Sequence, residues 1–356
     1  MSAASAAHVR LTTIRIRRAA PWALGSAIAV FLVWWLLIGG EKTIANDPDT
    51  AIRSALNAIV LASLLFITAS GFTLIFGLMR VVNMAHGTFY LFAGFTAITL
   101  QRRWVGKGDI NLNAADVDVW KHWVAPILIA ALLAGVLGLA MQQLLLRWNQ
   151  GQDLRQALIT IAISVIASDQ MLAHFNSGIA KTLSVDANLE SVVTLGFLND
   201  AVLQKFRMVV IALAVAVGML LWLWLKRTRT GMVIRAGVDD RAMVSALGIN
   251  IQRVFAIAFF IGAFLAGLGG GIGASYSNMQ DGEDGRWLLY SLLVVIIGGM
   301  GSLGGAAIGS LIFAFANQYS TTYLPNEYAN YSVIFTFVVL ALVLSVRPLG
   351  LFGRPA

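Results

Sequence analysis

Residues 226–253, KRTRTGMVIRAGVDDRAMVSALGINIQR, form the longest polar interval between two strongly apolar segments in the second half of the chain. Apolar residues recur in it at helical spacing, Thr230 can cap a helix start, and Gly248 can end the helix. Six Lys and Arg residues stand against only Asp239 and Asp240. The pattern predicts an amphipathic, basic helix between two membrane spans. Such a helix either docks a partner or is a solvated connector that obeys the positive-inside rule.

Composition places the rest of the chain in a membrane. The 356 residues are 58% hydrophobic and 12% charged, whereas soluble domains carry about 25% charged residues. The net charge of +8 is explained by uneven charge across the membrane, so no nucleic-acid partner is predicted. Because the chain has no cysteine and four scattered histidines, disulfides are excluded and no metal site is predicted.

Ten apolar segments predict an all-α, polytopic membrane protein with about ten transmembrane helices. The first segment, 19–38, follows a basic tail at 1–18 and resembles a signal peptide. No small-residue cleavage site follows it, so we predict that it spans the membrane. The other segments are 54–78, 84–100, 123–146, 156–175, 206–225, 254–276, 287–298, 305–322 and 331–346.

The distribution of charge predicts the orientation of these helices. With a cytoplasmic N-terminus, ten crossings place residues 79–83, 147–155, 226–253, 299–304 and the C-terminus inside. The inside then holds 15 Lys and Arg residues against 3 acids, and the outside holds 10 against 13. This asymmetry satisfies the positive-inside rule.

Small residues near the end of the chain predict close helix packing or a substrate path. Segment 287–298 is short and is followed by glycines, and we predict a crossing broken by glycines rather than a re-entrant loop. Small residues recur every four positions, which lets helix backbones touch in lipid. The predicted packing residues are Ala263, Gly267, Gly271, Gly301, Gly305 and Gly309.

A few polar residues are candidates for a translocation pathway or gate. Asp169 is the only carboxylate within an apolar segment, where an unpaired charge costs roughly 2.5–3.5 kcal/mol; it either lines a cavity or lies at an interface. Asn83 is interpreted as a helix cap, and His86 as a gate or a packing residue. The full set is Asn83, His86, Thr160, Ser164, Asp169, Gly299 and Gly301. No catalytic constellation and no GxxxxGK[ST] nucleotide loop occurs, so no enzyme activity is predicted.

Three blocks of the sequence resemble the permease subunits of bacterial branched-chain amino acid ABC importers, in the branch that includes urea and amide systems. The first is Gly71–Gly94, GFTLIFGLMRVVNMAHGTFYLFAG. The second is residues 226–253, which match the family's cytoplasmic coupling loop at Gly231, Arg235, Ala236, Asp240, Gly248 and Ile249. The third is Gly298–Gly309, GGMGSLGGAAIG, together with Arg347–Arg354, RPLGLFGR.

The resemblance implies a fold, partners and a division of the chain. A type II importer permease forms half of a channel with a second related permease chain, on two ATPase subunits that bind ATP and Mg. It receives substrate from a periplasmic binding protein, and this chain itself would bind no cofactor. The resemblance implies a permease core 54–346 with the coupling loop 226–253, and a cytoplasmic tail 347–356. The charge and apolar pattern alone predicts a cytoplasmic tail 1–18 and a first helix with a periplasmic loop 19–53. The location would be the inner membrane of a bacterium.

The chain departs from the family pattern at three places. Arg241-Ala242 replaces Pro-Glu in the coupling loop, Thr88 replaces Glu after Ala-His-Gly, and Thr160-Ile161-Ala162 replaces Thr-[Ile/Leu]-Gly. The substrate therefore stays open between branched-chain amino acids, urea, amides and other small solutes. The alternative function is a secondary transporter or channel without an ATPase. Such a carrier usually needs several ionisable groups within the membrane, whereas Asp169 stands alone.

Overall fold

The computed structural model describes residues 48–353, apart from 80–81, 106–118, 176–180, 186, 196–200 and 325–331. The predicted tail 1–18 and first span 19–38 lie outside the described residues. Each of the other nine apolar segments is largely helical in its described residues. The helices that overlap them are α1 (Pro48–Met79), α2 (His86–Val105), α3 (Ala125–Met141), α4 (Asp153–Phe175), α5 (Lys205–Arg227), α8 (Ile251–Tyr276), α9 (Glu283–Gly298), α10 (Leu303–Tyr323) and α11 (Ser332–Val346). The predicted helical fold class is confirmed.

Shorter elements join these helices. The polar stretch between α5 and α8 contains α6 (Arg229–Asp239) and α7 (Arg241–Ala246). Helix α3 is extended by π-helical turns at Trp120–Val124 and Gln142–Leu146 and by a 3-10 turn at Arg147–Asn149. Ahead of α5, a helical turn at Ala187–Glu190 precedes an antiparallel hairpin of β1 (Val192–Leu195) and β2 (Ala201–Gln204).

Five helical segments in the described part of the chain are long and apolar enough to cross a membrane. They are α1, α4, α5, α8 and the segment Trp120–Asn149, which contains α3. Helices α9 and α10 meet this criterion together, but the chain bends by 115° between them. The glycines at 298–301 therefore interrupt the helix, as predicted, and α10 turns back along α9.

The connections between helices gather at two opposite ends of the bundle. At the end that carries α6, called the α6 face, the side chains of Gln150 and Gln252 exchange hydrogen bonds of 2.8 Å, and the amide of Phe352 donates to the carbonyl of Gly298 at 2.9 Å. At the opposite end, Ser54 Oγ donates to Thr322 Oγ1 at 3.1 Å. Among the described residues, segments 147–155, 226–253 and 299–304 and residues 347–353 thus share the α6 face. That this face is cytoplasmic stays a prediction.

Helix α8 lies at the centre of the bundle and packs through small residues. A Cβ added at Gly267 would lie 2.7 Å from the Cβ of Ala134 on α3, and one at Gly271 would lie 2.9 Å from Ile127. On the same side, Gly138 of α3 leaves no room for a Cβ beside Ala263. The close approach of α3 and α8 therefore depends on the absence of side-chain volume at these positions.

Helices α9 and α10 make the second close contact. A Cβ at Gly305 would collide with the carbonyl oxygen of Gly298, and one at Gly309 would collide with that of Val294. The two backbones touch directly after the bend, so the helices can cross closely without a wide turn.

Two helices begin part-way through the bundle. His86, the first residue of α2, bonds to the carbonyl of Thr68, which lies 11 residues, about 16 Å, before the end of α1 at Met79. Thr88 contacts Ser164, the central residue of the 23-residue α4. The chain therefore returns from the end of α1 before α2 starts near the middle of the bundle, and residues 82–85 just before α2 are non-helical. Helix α9 starts at the same level, because Asp284 contacts Gly87.

Candidate functional site

The N-termini of α2 and α9 meet near the middle of the bundle. A Cβ at Gly87 would overlap the carbonyl oxygen of Asp284 and lie 3.0 Å from the Cβ of Leu288. From this contact α2 runs towards the end of the bundle opposite α6, whereas α9 runs to the α6 face. Discontinuous helices of this kind expose backbone and polar groups at the depth where transporters hold substrates.

One face of α4 lines this meeting point with hydroxyl groups. Thr160 Oγ1 accepts a hydrogen bond from the amide of Met84 at 3.2 Å, and Ser164 Oγ bonds to Thr88 Oγ1 at 2.9 Å. One turn further, Ser168 Oγ lies 3.4 Å from Asp281 Oδ1. Residues four apart share a helix face, so these three hydroxyls form a polar stripe, the hydroxyl stripe of α4, between α2 and the start of α9.

Asn83 and His86 lie beside the hydroxyl stripe and are both buried. Asn83 Oδ1 accepts from the amide of Ala85 at 3.1 Å, and the amide of His86 donates to the carbonyl of Asn83 at 3.2 Å. His86 Nε2 donates to the carbonyl of Thr68 at 3.0 Å, and its ring stands edge-on to Phe72. Within the described residues, Asn83 Nδ2 and His86 Nδ1 have no hydrogen-bond partner. Two buried polar atoms thus remain available at the start of α2.

A charged cluster at the start of α9 was not predicted from the sequence. Glu283 is buried, accepts from Trp287 Nε1 at 3.1 Å, and forms an ion pair of 3.1 Å with Arg286 Nη1. The Arg286 side chain is 57% exposed, and its Nε donates to Tyr290 Oη at 3.1 Å. Tyr90 of α2 stacks on Trp287 with ring centroids 4.2 Å apart.

The position of this cluster corrects the charge assignment made from the sequence. Segment 287–298 was predicted to start after these charges, and Glu283, Asp284 and Arg286 were counted with an outer loop. The structure extends the helix back to Glu283 and places its first turn against Gly87, near mid-depth. Glu283 and Asp284 therefore belong to the helix that contains segment 287–298 and not to a loop before it.

Asp169 itself lies outside this constellation. It is exposed and follows Ser164 by five residues, which turns it about 140° around α4 from that hydroxyl. Gly299 and Gly301 lie at the other end of α9, where both have positive φ angles, 97° and 76°, that favour glycine. The structure thus brings together Asn83, His86, Thr160 and Ser164, and leaves the other three pathway candidates apart from them.

The predicted single helix between Thr230 and Gly248 is wrong in its start and in its continuity. Thr228, not Thr230, caps α6 by accepting from the amide of Gly231 at 3.0 Å. Asp240 has an extended backbone and its carboxylate accepts from the amide of Met243 at 3.0 Å, which caps α7. A short carboxylate that bonds to nearby backbone amides competes with helix continuation, so the chain forms two helices joined at Asp240.

The six predicted coupling residues occupy different sides of this stretch. Gly231 is buried against the end of α5, where a Cβ would collide with the carbonyl oxygen of Trp224. Arg235, Ala236, Asp240 and Gly248 are exposed, and Ile249 is half-buried. Gly248 has a φ of 78°, with open space around its Cβ position. Gly231 therefore holds α6 on this chain. Four of the other residues are exposed, and one of these, Arg235, also borders a small cavity beside Ile234.

The inner side of α6 packs against the bend between α9 and α10. Ile234 is 1% exposed, and a Cβ at Gly237 would lie 3.2 Å from Leu78 of α1. A Cβ at Gly301 would lie 3.1 Å from Val238 Cγ1. A small cavity of about 40 Å³ beside these residues is lined in part by Ser70, Thr73 and Arg235. Helix α6 thus joins α1 to the glycine bend.

A larger cavity of about 410 Å³ lies elsewhere, between α1, α5 and α10. Its lining is almost entirely apolar and includes Phe66, Val215 and Trp222. It contains no charged side chain, so the polar meeting point of α2 and α9 is the stronger candidate for solute contact.

A bundle of membrane-length helices with two broken helices and a polar meeting point defines a helical membrane transport protein. The family model of the branched-chain amino acid transport system permease component matches residues 54–344, and the chain belongs to that family. It is therefore a transport permease component and not an enzyme.

The curated relatives cover nearly the same part of the chain. The chain is 26% identical over 306 residues to the high-affinity branched-chain amino acid transport system permease protein LivH of Salmonella typhimurium. The aligned region covers 85% of this chain and 96% of the relative. It is 24% identical over 311 residues to the permease protein BraD of the same system in Pseudomonas aeruginosa, with the same coverages. A probable LivH of Methanocaldococcus jannaschii is 22% identical over 305 residues. No solved structure matches the chain.

Proposed function

We propose that this permease forms half of the translocation pathway of an ATP-driven importer for branched-chain amino acids or related small solutes. The substrate class is supported by the branched-chain amino acid transport systems to which the relatives belong. The partners would be a second related permease chain, two ATPase subunits and a periplasmic binding protein. ATP and Mg would bind to the ATPase subunits, and this chain would bind no cofactor. It would lie in the inner membrane of a bacterium with both termini in the cytoplasm.

The observation that carries this proposal is the two-sided packing of α6. Its inner side is buried against α1 and the glycine bend, whereas Arg229, Met232 and Arg235 are exposed on the other side. The adjacent α7 exposes Met243 at 61% and Leu247 at 71%. Large exposed apolar side chains beside arginines are typical of a surface that binds a partner protein, and arginine is one of the residue types that contribute most to binding at protein interfaces. A solvated connector would not be expected to carry such a surface. The outward side of α6 and α7 therefore fits an ATPase subunit.

The contacts of α6 offer a mechanical connection to the pathway. Val238 contacts the bend at Gly301, the bend joins directly to α9, and the other end of α9 carries the cluster at Glu283. A shift of α6 that follows ATP binding would move a rigid 16-residue helix at its hinge. Because packed elements shift between discrete arrangements rather than deform continuously, this movement would reposition α9 against α2 and the hydroxyl stripe.

The proposal is tested by uptake in proteoliposomes that contain this chain with its co-purified permease and ATPase partners. Radiolabelled leucine and saturating binding protein are supplied outside, with ATP or a non-hydrolysable analogue on the ATPase side. Uptake that requires hydrolysable ATP supports the importer. Equal uptake without ATP would instead support the ATP-independent carrier.

A further inference from the structure

The start of α9 carries charges of both signs on a partly exposed surface near the middle of the bundle. Arg286 and Glu283 form an ion pair, and Asp281 is exposed beside Ser168 of the hydroxyl stripe. Asp284 is half-buried at the contact with Gly87. All four residues lie within six positions, where α9 meets α2 near the middle of the bundle.

The surroundings of Arg286 exclude a lipid-facing role. A guanidinium at the bilayer centre costs several kcal/mol unless it reaches water or a partner, and long side chains normally avoid this cost by extending to the membrane surface. Arg286 is instead held between Glu283 and Tyr290, with its guanidinium 5.4 Å from the Tyr290 ring centre. Because both of its anchors lie on α9 within one turn, the guanidinium stays at this depth. The face must therefore border water or protein.

The geometry leaves Arg286 with spare donors. Arginine has five N–H groups, of which one Nε and one Nη1 group bond to Tyr290 and Glu283. The other three have no partner within the described residues, and the side chain is more than half exposed. A planar guanidinium with free N–H groups matches a carboxylate with two parallel hydrogen bonds.

We propose that Arg286 binds the carboxylate of a zwitterionic amino acid in transit, while Asp281 and the hydroxyls of Ser164 and Ser168 face its ammonium group. This inference rests on the proposed function and narrows its substrate class. A patch with fixed charges of both signs suits an amino acid better than urea or an amide, because an amino acid can place its carboxylate against Arg286 and its ammonium group against Asp281, whereas an uncharged solute has no charge to pair with either.

The first test measures Arg286→Gln in the complete reconstituted complex. The control is Arg53→Gln, which removes an exposed arginine near the start of α1. Losing a charge-assisted hydrogen-bond pair weakens the binding of the bonded group by roughly a factor of ten or more. Arg286→Gln should therefore lower the maximal rate of leucine uptake about tenfold, with co-purification of the second permease unchanged. Arg53→Gln should transport normally.

Two outcomes of this test would overturn the assignment. Unchanged leucine uptake in Arg286→Gln would show that the guanidinium contacts no substrate. Loss of the second permease chain from the purified complex would show that Arg286 pairs with an acid of that chain. If the unsubstituted complex transports no amino acid with ATP, the proposed function fails, which is a separate result.

A second variant measures water access without removing Arg286. The chain has no native cysteine, and Gly285 is exposed with open space at its Cβ position, so Gly285→Cys is a tolerated probe. An anionic methanethiosulfonate should modify this cysteine in the complex, and leucine with binding protein should slow the modification at least severalfold, whereas urea should not. A cysteine that does not react would place the face against lipid or protein and overturn the proposal.

Discussion

Gly77 at the end of α1 and Gly301 after α9 lie so close that a Cβ added at Gly77 would be 2.9 Å from the Cα of Gly301. Val238 of α6 covers both glycines, 3.5 Å from the first Cβ position and 3.1 Å from the second. Three segments separated by more than 60 residues in sequence thus meet at one point. Any displacement of α6 is transmitted to α1 and to the bend before α10.

Gly305→Leu should disrupt the hairpin of α9 and α10, because a Cβ at Gly305 would collide with the Gly298 carbonyl. Overpacking of this kind typically costs about 1–3 kcal/mol. We expect a lower melting temperature of the purified complex, measured by thermal unfolding, and less transport per molecule. Gly304→Leu is the matched control, since Gly304 is exposed with open space around its Cβ position. Equal melting temperatures for the two variants would argue against close packing.

Ser164→Ala should affect transport more than Asp169→Asn. Ser164 bonds to Thr88 at the meeting point of α2 and α9, whereas Asp169 is exposed on another side of α4. Loss of one hydrogen bond costs about 1 kcal/mol, so we expect a roughly fivefold change in the maximal uptake rate for Ser164→Ala. Uptake kinetics of the two variants, normalised to protein in the membrane, provide the measurement. A larger effect of Asp169→Asn would move the pathway to the exposed side of α4.

The orientation can be tested with single cysteines, because the natural chain has none. Leu247 on the α6 face and Val192 in β1 are both well exposed, at 71% and 57%. We expect an impermeant maleimide to label Val192→Cys in intact cells and Leu247→Cys only after the membrane is opened. Labelling of Leu247→Cys from outside would reverse the orientation and remove the cytoplasmic docking surface.

The sequence predicted the helices well because long apolar runs fix where a chain can cross a membrane. It could not predict that α2 and α9 start near mid-depth. Residues 82–85, VNMA, are apolar enough to continue the helical pattern of α2, yet they are non-helical beside Thr160. In the same way, Glu283 and Arg286 have the composition of an outer loop, and only their tertiary contacts place them at depth. Hydropathy reports the length of apolar segments but not the level at which a helix starts.

The break in the coupling stretch was also difficult to predict. Asp240 was identified as a matched position of the family's coupling loop, but its effect on the helix depends on its own side-chain geometry. Capping of α7 by this carboxylate divides the stretch, and Gly248 then ends α7 with a positive φ angle. Local side-chain-to-backbone bonds of this kind are weak signals in a sequence that also fits one continuous helix.

The central claim, that the outward side of α6 couples this permease to an ATPase, is tested most directly by Arg235→Ala. Arg235 is exposed, and removing one well-packed charged interface contact typically costs about 2 kcal/mol, roughly thirtyfold in coupling. Arg253→Ala, at another exposed arginine of the α6 face, is the control. The measurement is substrate-stimulated ATP hydrolysis by the reconstituted complex. We predict that Arg235→Ala loses most of this stimulation, together with uptake, at an unchanged amount of protein in the membrane. Stimulation equal to that of the unsubstituted complex would contradict the coupling role of Arg235.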